Sequence, residues 1–118
     1  MDMKPNLEYG HYFEVEPGVE LYYEEKGEGD PLVLIPGITM TTEVFCRQFE
    51  YFSKTRRVIV IDPRSQGRSS KVLHGNTYEQ HGRDFDALLS PNKQNATILL
   101  ITKPGANPHH KRASAFFL

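Results

Sequence analysis

Arg57-Val58-Ile59-Val60-Ile61-Asp62-Pro63-Arg64-Ser65-Gln66-Gly67-Arg68-Ser69-Ser70 is the stretch on which the fold turns. Its β-branched run, residues 58–61, shows no polar alternation, as expected for a strand buried on both faces of a parallel sheet. The run stops at Asp62-Pro63, since proline has no N–H with which to continue a ladder. A run of the same kind lies on each side. Upstream, Leu32-Val33-Leu34-Ile35 ends abruptly at Pro36-Gly37; downstream, Ile98-Leu99-Leu100-Ile101 has the composition of another buried strand.

Helical patterns separate the three runs. Thr41 and Thr42 are candidate N-caps for a helix in which Phe45, Phe49 and Phe52 fall at i, i+4 and i+7, with three rings on one face. Thr77-Tyr78-Glu79-Gln80 matches a capping box, and Tyr78, Phe85 and Leu89 share one side of the helix it would start. Ser90-Pro91-Asn92 closes that helix. Ahead of the first run, residues 10–23 alternate, break at Glu16-Pro17-Gly18 and resume, which reads as a β-hairpin. The order is hairpin, strand, helix, strand, helix, strand. It predicts an α/β fold with the three runs in one mostly parallel sheet, joined by right-handed crossovers.

The chain has 118 residues, enough for one domain with one core. With 38% hydrophobic and 25% charged residues it has an ordinary globular composition. No stretch approaches the roughly 18 apolar residues of a membrane span, and the opening residues lack the apolar run of a secretory signal. Cytoplasmic localisation is the expectation, and the single Cys46 suits a reducing compartment. The net charge of −1 conceals an asymmetry, with 11 acidic and 3 basic groups in residues 1–50 against 4 and 11 in residues 51–118. The basic residues lack interleaved stacking aromatics, so no nucleic-acid partner is expected. The expected division is an N-terminal arm over 1–9, a partial α/β domain over 10–101 and an irregular tail over 102–118. The tail holds Pro104 and Pro108 and shows neither period nor caps.

Two segments carry a family resemblance. Gly18-Val19-Glu20-Leu21-Tyr22-Tyr23-Glu24, followed by Gly27-Glu28-Gly29-Asp30-Pro31-Leu32-Val33-Leu34-Ile35-Pro36-Gly37, resembles the opening of α/β-hydrolase proteins of the esterase, haloperoxidase and epoxide-hydrolase type. Residues 57–70 are similar to their D-x-R-G-x-G-x-S segment, and residues 78–89, with Asp84 and Asp86, to the helix that follows it. The resemblance covers about 10–90 and implies the N-terminal portion of an α/β-hydrolase sheet, incomplete in this chain. There are two departures. Pro36-Gly37 stands for the usual His-Gly, and Ser65 stands for the usual glycine.

The resemblance also implies hydrolysis of an ester or related bond in a small molecule, without a cofactor. Such acyl transfer needs N–H donors aimed at the oxygen that becomes negative. By position Gly37 would make the tight turn and Ile38 would supply one donor, although Pro36-Gly37 also reads simply as a strand end. Asp62 and Arg64 fall at a strand's carboxyl end, where open α/β sheets bind ligands. They are candidates for the pocket rim, or for a turn in which Asp62 accepts backbone N–H groups and Arg64 pairs with a carboxylate.

No catalytic residue is assigned. After Ile101 the sequence offers Thr102-Lys103-Pro104-Gly105-Ala106-Asn107 where the family has its G-x-S-x-G elbow. His109 and His110 follow too soon to serve as the catalytic histidine and do not complete a metal site. His11, His74 and His81 have no partner evident in the sequence, and Cys46 reads as a small packed side chain. The chain is therefore expected to be a truncated, catalytically incomplete hydrolase. Two alternatives stay open: a non-catalytic binding module that pairs through its open sheet edge, and an enzyme using Ser65 or Ser69 as an unfamiliar nucleophile.

Overall fold

The computed structural model describes residues 7–37, 41–90 and 97–100. Its strands are β1 (Gly10–Glu16), β2 (Val19–Lys26), β3 (Pro31–Ile35), β4 (Arg57–Ile61) and β5 (Thr97–Leu100); its helices are α1 (Cys46–Phe52) and α2 (Tyr78–Leu89). They form a five-stranded sheet in the order β1-β2-β4-β3-β5. β1 and β2 are the expected antiparallel hairpin, turned at Gly18, whose φ of 82° suits a residue without Cβ. β2 runs antiparallel to β4, while β3 is parallel to both β4 and β5. The first two apolar runs and the third as far as Leu100 are thus strands, and the sheet is mixed because of the hairpin.

The strand order reverses at β3, with β4 on one side and β5 on the other. Crossovers of one hand that travel in opposite directions put their helices on opposite faces. On one face Phe45 and Phe49 pack over Leu32, Leu34, Val58 and Val60. On the other, Phe85, Leu88 and Leu89 of α2 pack over Leu21, Val33, Ile35, Ile59, Ile61 and Ile98. Burying each phenylalanine contributes roughly 1.5–3 kcal/mol, so these rings fix where each helix lies.

Three local expectations are corrected. The segment after Thr41 begins as a 3-10 turn, Thr42–Phe45, and α1 starts only at Cys46. Thr41 is extended and makes no side-chain cap; the Thr42 N–H is instead taken by the Asp62 carboxylate at 2.8 Å. An outside acceptor has satisfied an amide that a cap would otherwise serve. At α2, Thr77 does cap the Gln80 N–H at 3.1 Å, but the Gln80 side chain turns forward to Asp84 instead of back. Tyr78 is exposed, because α2 meets the sheet through its second half, where Asp84, Phe85, Leu88 and Leu89 are buried.

The end of the expected N-terminal arm is docked. Leu7–Tyr9 form a 3-10 turn, and the Tyr9 ring meets Phe49 edge-on at 6.1 Å between centroids. Residues 1–6, Ile101 and the expected tail over 102–118 lie outside the described residues.

Candidate functional site: the turns after β3 and β4

The carboxyl ends of β3 and β4 lie side by side, and the turns that leave them are bonded to one another. Gly37 is buried directly after β3. Its carbonyl accepts a hydrogen bond from Gln66 Nε2 at 3.0 Å. Ile38, the other oxyanion candidate, lies outside the described residues.

Asp62 organises the turn after β4. Its Oδ1 accepts the Thr42 N–H and its Oδ2 accepts the Arg68 N–H at 3.0 Å. Its own N–H donates to the Tyr22 carbonyl at 2.9 Å. Gly67, at φ 53°, packs its Cα so closely on this carboxylate that an added Cβ would strike it. Burial pushes the Asp62 carboxyl up to about 6; the amides of Arg68 and Thr42 pull the other way, and Glu24 and Glu43 add to the rise. The group is desolvated more than it is compensated.

Both candidate nucleophilic serines are engaged. Ser69 Oγ donates to the Asp62 carbonyl at 2.6 Å and accepts the Tyr22 N–H at 2.8 Å, which stitches the turn to β2. Ser65 Oγ donates to the Val72 carbonyl at 2.9 Å and accepts the Val72 N–H at 3.2 Å. Ser65 is also the one non-glycine among the described residues with positive φ, at 70°. The family's glycine at this position thus has a backbone reason, and this chain substitutes a side chain that bonds locally.

Arg64 is buried, with a side-chain exposure of 0%. Its Nε and Nη2 grip both oxygens of Asp84 on α2, at 3.0 and 2.9 Å, and Nη2 also meets Glu16 at 2.6 Å. Burial works against its charge, but Asp84 and Glu16 more than offset this, so the guanidinium titrates above its ordinary value. Arg64 holds the Glu16 carboxyl below its ordinary value. The β1 register shifts between Glu14 and Glu16, a bulge of the kind that re-aims side chains toward such partners.

The sequence missed several of these groups. Nothing in the spacing marks Gln66 or Glu16 as partners of Gly37 and Arg64, because each pair joins separate elements. The buried Tyr22 hydroxyl donates to Glu24 Oε2 at 2.7 Å, and burial with this carboxylate beside it raises the Tyr22 phenol above its ordinary range. The histidines do find neighbours: His11 stacks on Tyr23, His74 reaches Glu16 at 3.3 Å, and His81 lies against Phe85. Burial lowers the His81 pKa. Cys46 is half-buried at the start of α1. Among the described residues no three of His, Cys, Asp and Glu gather in a way that could hold a metal ion. No helix among them is long and apolar enough to cross a membrane.

Residues 30–101 match the family model described as alpha/beta hydrolase fold, and this chain belongs to that family. It is similar to the (E)-2-((N-methylformamido)methylene)succinate hydrolase of Acinetobacter baylyi, at 49% identity over 51 residues, 43% of this chain and 19% of that protein. It also resembles the non-heme haloperoxidase of Rhodococcus erythropolis, 28% identical over 62% of this chain and 27% of that one. Among solved structures, the bromoperoxidase from Bacillus anthracis superposes with a TM-score of 0.70 and 30% identity, over 75% of this chain and 33% of that one. The chain thus spans about a third or less of the length of these relatives.

Proposed function

We propose that this chain carries the oxyanion-side part of a hydrolase acting on an ester or related bond of a small molecule, and that as written it is catalytically incomplete. The observation that carries the reading is the buried Gly37 turn at the carboxyl end of β3, held by the turn after β4. Acyl transfer requires a backbone donor held in place at such a strand end. The likeness to a succinate-derivative hydrolase supports hydrolysis as the reaction class. The incompleteness rests on the missing elbow, since the 118 residues contain no G-x-S-x-G pattern, and on the engagement of the Ser65 and Ser69 hydroxyls. The single Cys46 supports a reducing, cytoplasmic setting.

The purified chain should hydrolyse a short-chain aryl ester no faster than buffer. In one triad protease, loss of the serine or the histidine removes about 10⁶-fold in turnover, far more than a single oxyanion donor supplies. Saturable activity that a serine-directed inhibitor abolishes overturns this reading. Its origin is tested in the coding DNA downstream of Ser90, where an elbow-encoding element in another frame is expected of a frame-altered copy. A second reading, a non-catalytic module that pairs through its sheet edge, is favoured by the place of β5 at the end of the strand order.

A further inference from the structure

His81 is a half-buried titratable group near the start of α2 that the turns after β3 and β4 do not use. Its N–H donates to the Thr77 carbonyl at 2.9 Å, which closes the helix behind its capping threonine. Its ring stacks on Phe85 with centroids 6.1 Å apart and planes at 21°, and Phe85 belongs to the core beneath α2. Nδ1 is enclosed and has no hydrogen-bond partner among the described residues.

The charged groups around this ring are committed elsewhere. Asp84 Oδ1 accepts from Arg64 Nη2 and Gln80 Nε2, and Oδ2 accepts from Arg64 Nε. Glu16, at the end of β1, meets Arg64 Nη2 and His74 Nε2. On β2, Glu25 shares by alternation the face that Tyr23 turns toward α2, and Arg57 holds it. The Tyr23 phenol is raised above its ordinary value by burial and stays neutral. Burial is the main influence on the charge of His81 and disfavours it; Asp84 favours the charged ring and Arg64 opposes it.

We propose that His81 is an acid-sensitive latch on α2: its ring is seated as a neutral imidazole protonated on Nε2, and a second proton, taken from solvent at Nδ1, unseats it from Phe85. A neutral imidazole has one donor and one acceptor nitrogen, whereas the cation has two donors. A bare Nδ1 leaves an enclosed acceptor unpaired. A protonated Nδ1 leaves an enclosed cationic N–H unpaired, which is the costlier state. Asp84 cannot turn to receive that proton without releasing Arg64 or Gln80. Unseating therefore reaches the clasp of α2 on Arg64, and through it the turn after β4. The latch involves no catalytic chemistry, so it stands or falls apart from the hydrolase reading.

The sign follows from the direction of the shift. The folded chain takes the proton less readily than the unfolded one, so the latch is intact above the ordinary 6.5 and weakens as pH falls below it. Asp62 has the opposite slope between 3.8 and about 6, so variants are needed to isolate His81.

The test is nuclear magnetic resonance on the isotope-labelled full chain. The His81 ring nitrogens should show the Nε2-protonated tautomer near neutral pH, and the ring should titrate below 6.5. The Arg64 Nε proton, held by Asp84, should shift with the same midpoint. His81→Phe keeps a ring against Phe85 but has no proton to gain, so its Arg64 proton should lose that step. His74→Gln, which removes the exposed histidine on Glu16, should retain it. In urea unfolding, the stability of His81→Phe relative to wild type should rise from about pH 7 to about pH 5. A neutral ring protonated on Nδ1, a midpoint at or above 6.5, or an Arg64 proton indifferent to the His81 titration overturns the latch. So does an acid step that survives His81→Phe and vanishes in His74→Gln. Should His81→Phe not fold, the wild-type tautomer and midpoint decide.

Discussion

Ser65 occupies a left-handed backbone position, at φ 70°, where an L-residue is strained by roughly 1–2 kcal/mol. Its hydroxyl offsets part of this through two bonds to the Val72 backbone, each with a net worth of about 0.5–1.5 kcal/mol. Ser65→Ala keeps the strain and loses both bonds, so it should destabilise by about 1–3 kcal/mol in urea unfolding. Ser65→Gly loses the same bonds but sheds the strain, and should come out about 1 kcal/mol more stable than the alanine variant. Alanine equal to or better than glycine would contradict the account. The sequence showed that a glycine was missing here; it did not show that the hydroxyl would bond to a residue seven positions on. Asp62 was more legible. An Asp-Pro ending an apolar run points to a carboxylate that accepts backbone N–H groups, although Thr42 as one of the donors is visible only in three dimensions.

Asp62 also has a pH signature. Its carboxyl is pushed up to about 6, from an ordinary 3.8. Below the ordinary value it is protonated whether the chain is folded or not. Between the two values the folded chain keeps a proton that the unfolded chain releases, so stability falls as pH rises through this window, by roughly 3 kcal/mol at most. Above about 6 the group adds no further slope. The stability difference between wild type and Asp62→Asn should therefore shrink from pH 4 to pH 6, or turn further against the wild type. A difference that grows in favour of the wild type over that range would show that the charged form is the better accommodated one.

At the scale of elements, Arg64 holds together pieces that the sheet ladder does not join: the end of β1 through Glu16, the turn after β4, and α2 through Asp84. The Arg64 and Asp84 side chains are 0% and 1% exposed, so the pair is fully desolvated. Removing one member of such a pair costs about 3–5 kcal/mol, because the survivor is left charged and buried. Replacing both with apolar groups is often far milder. Asp84→Ala should therefore destabilise by about that amount, whereas Arg64→Met with Asp84→Leu should lose less than Asp84→Ala alone. A double variant less stable than either single one would mean that Arg64 contributes chiefly through Glu16 and the His74 carbonyl, its remaining partners. Strands were legible because an unbroken apolar run has few other uses. Helix starts were less so. The capping threonine of α2 is local and was read correctly, but the Thr42 amide is satisfied by a residue 20 positions away, and no local pattern reports that.

For the whole molecule, the decisive feature is what lies at the two ends of the strand order. β1 is guarded as edge strands usually are, with Glu14 and Glu16 in its second half and a bulge between them. β5, over Thr97–Leu100, carries neither charge nor proline and pairs on one side with β3. Among the described residues it is the last strand of the sheet on that side, and an edge of this composition suits pairing with a strand of similar character. We propose that β5 pairs with a second copy of the chain. Light scattering or sedimentation at micromolar concentration should then show dimers or larger species. Leu99→Lys puts a charge within the strand, as natural edge strands do, and should shift the distribution toward monomer. Where that variant unfolds, Thr97→Lys at the start of the strand asks the same question at lower structural cost. A compact monomer with a sharp, reversible thermal transition would refute edge pairing and favour a self-sufficient binding domain.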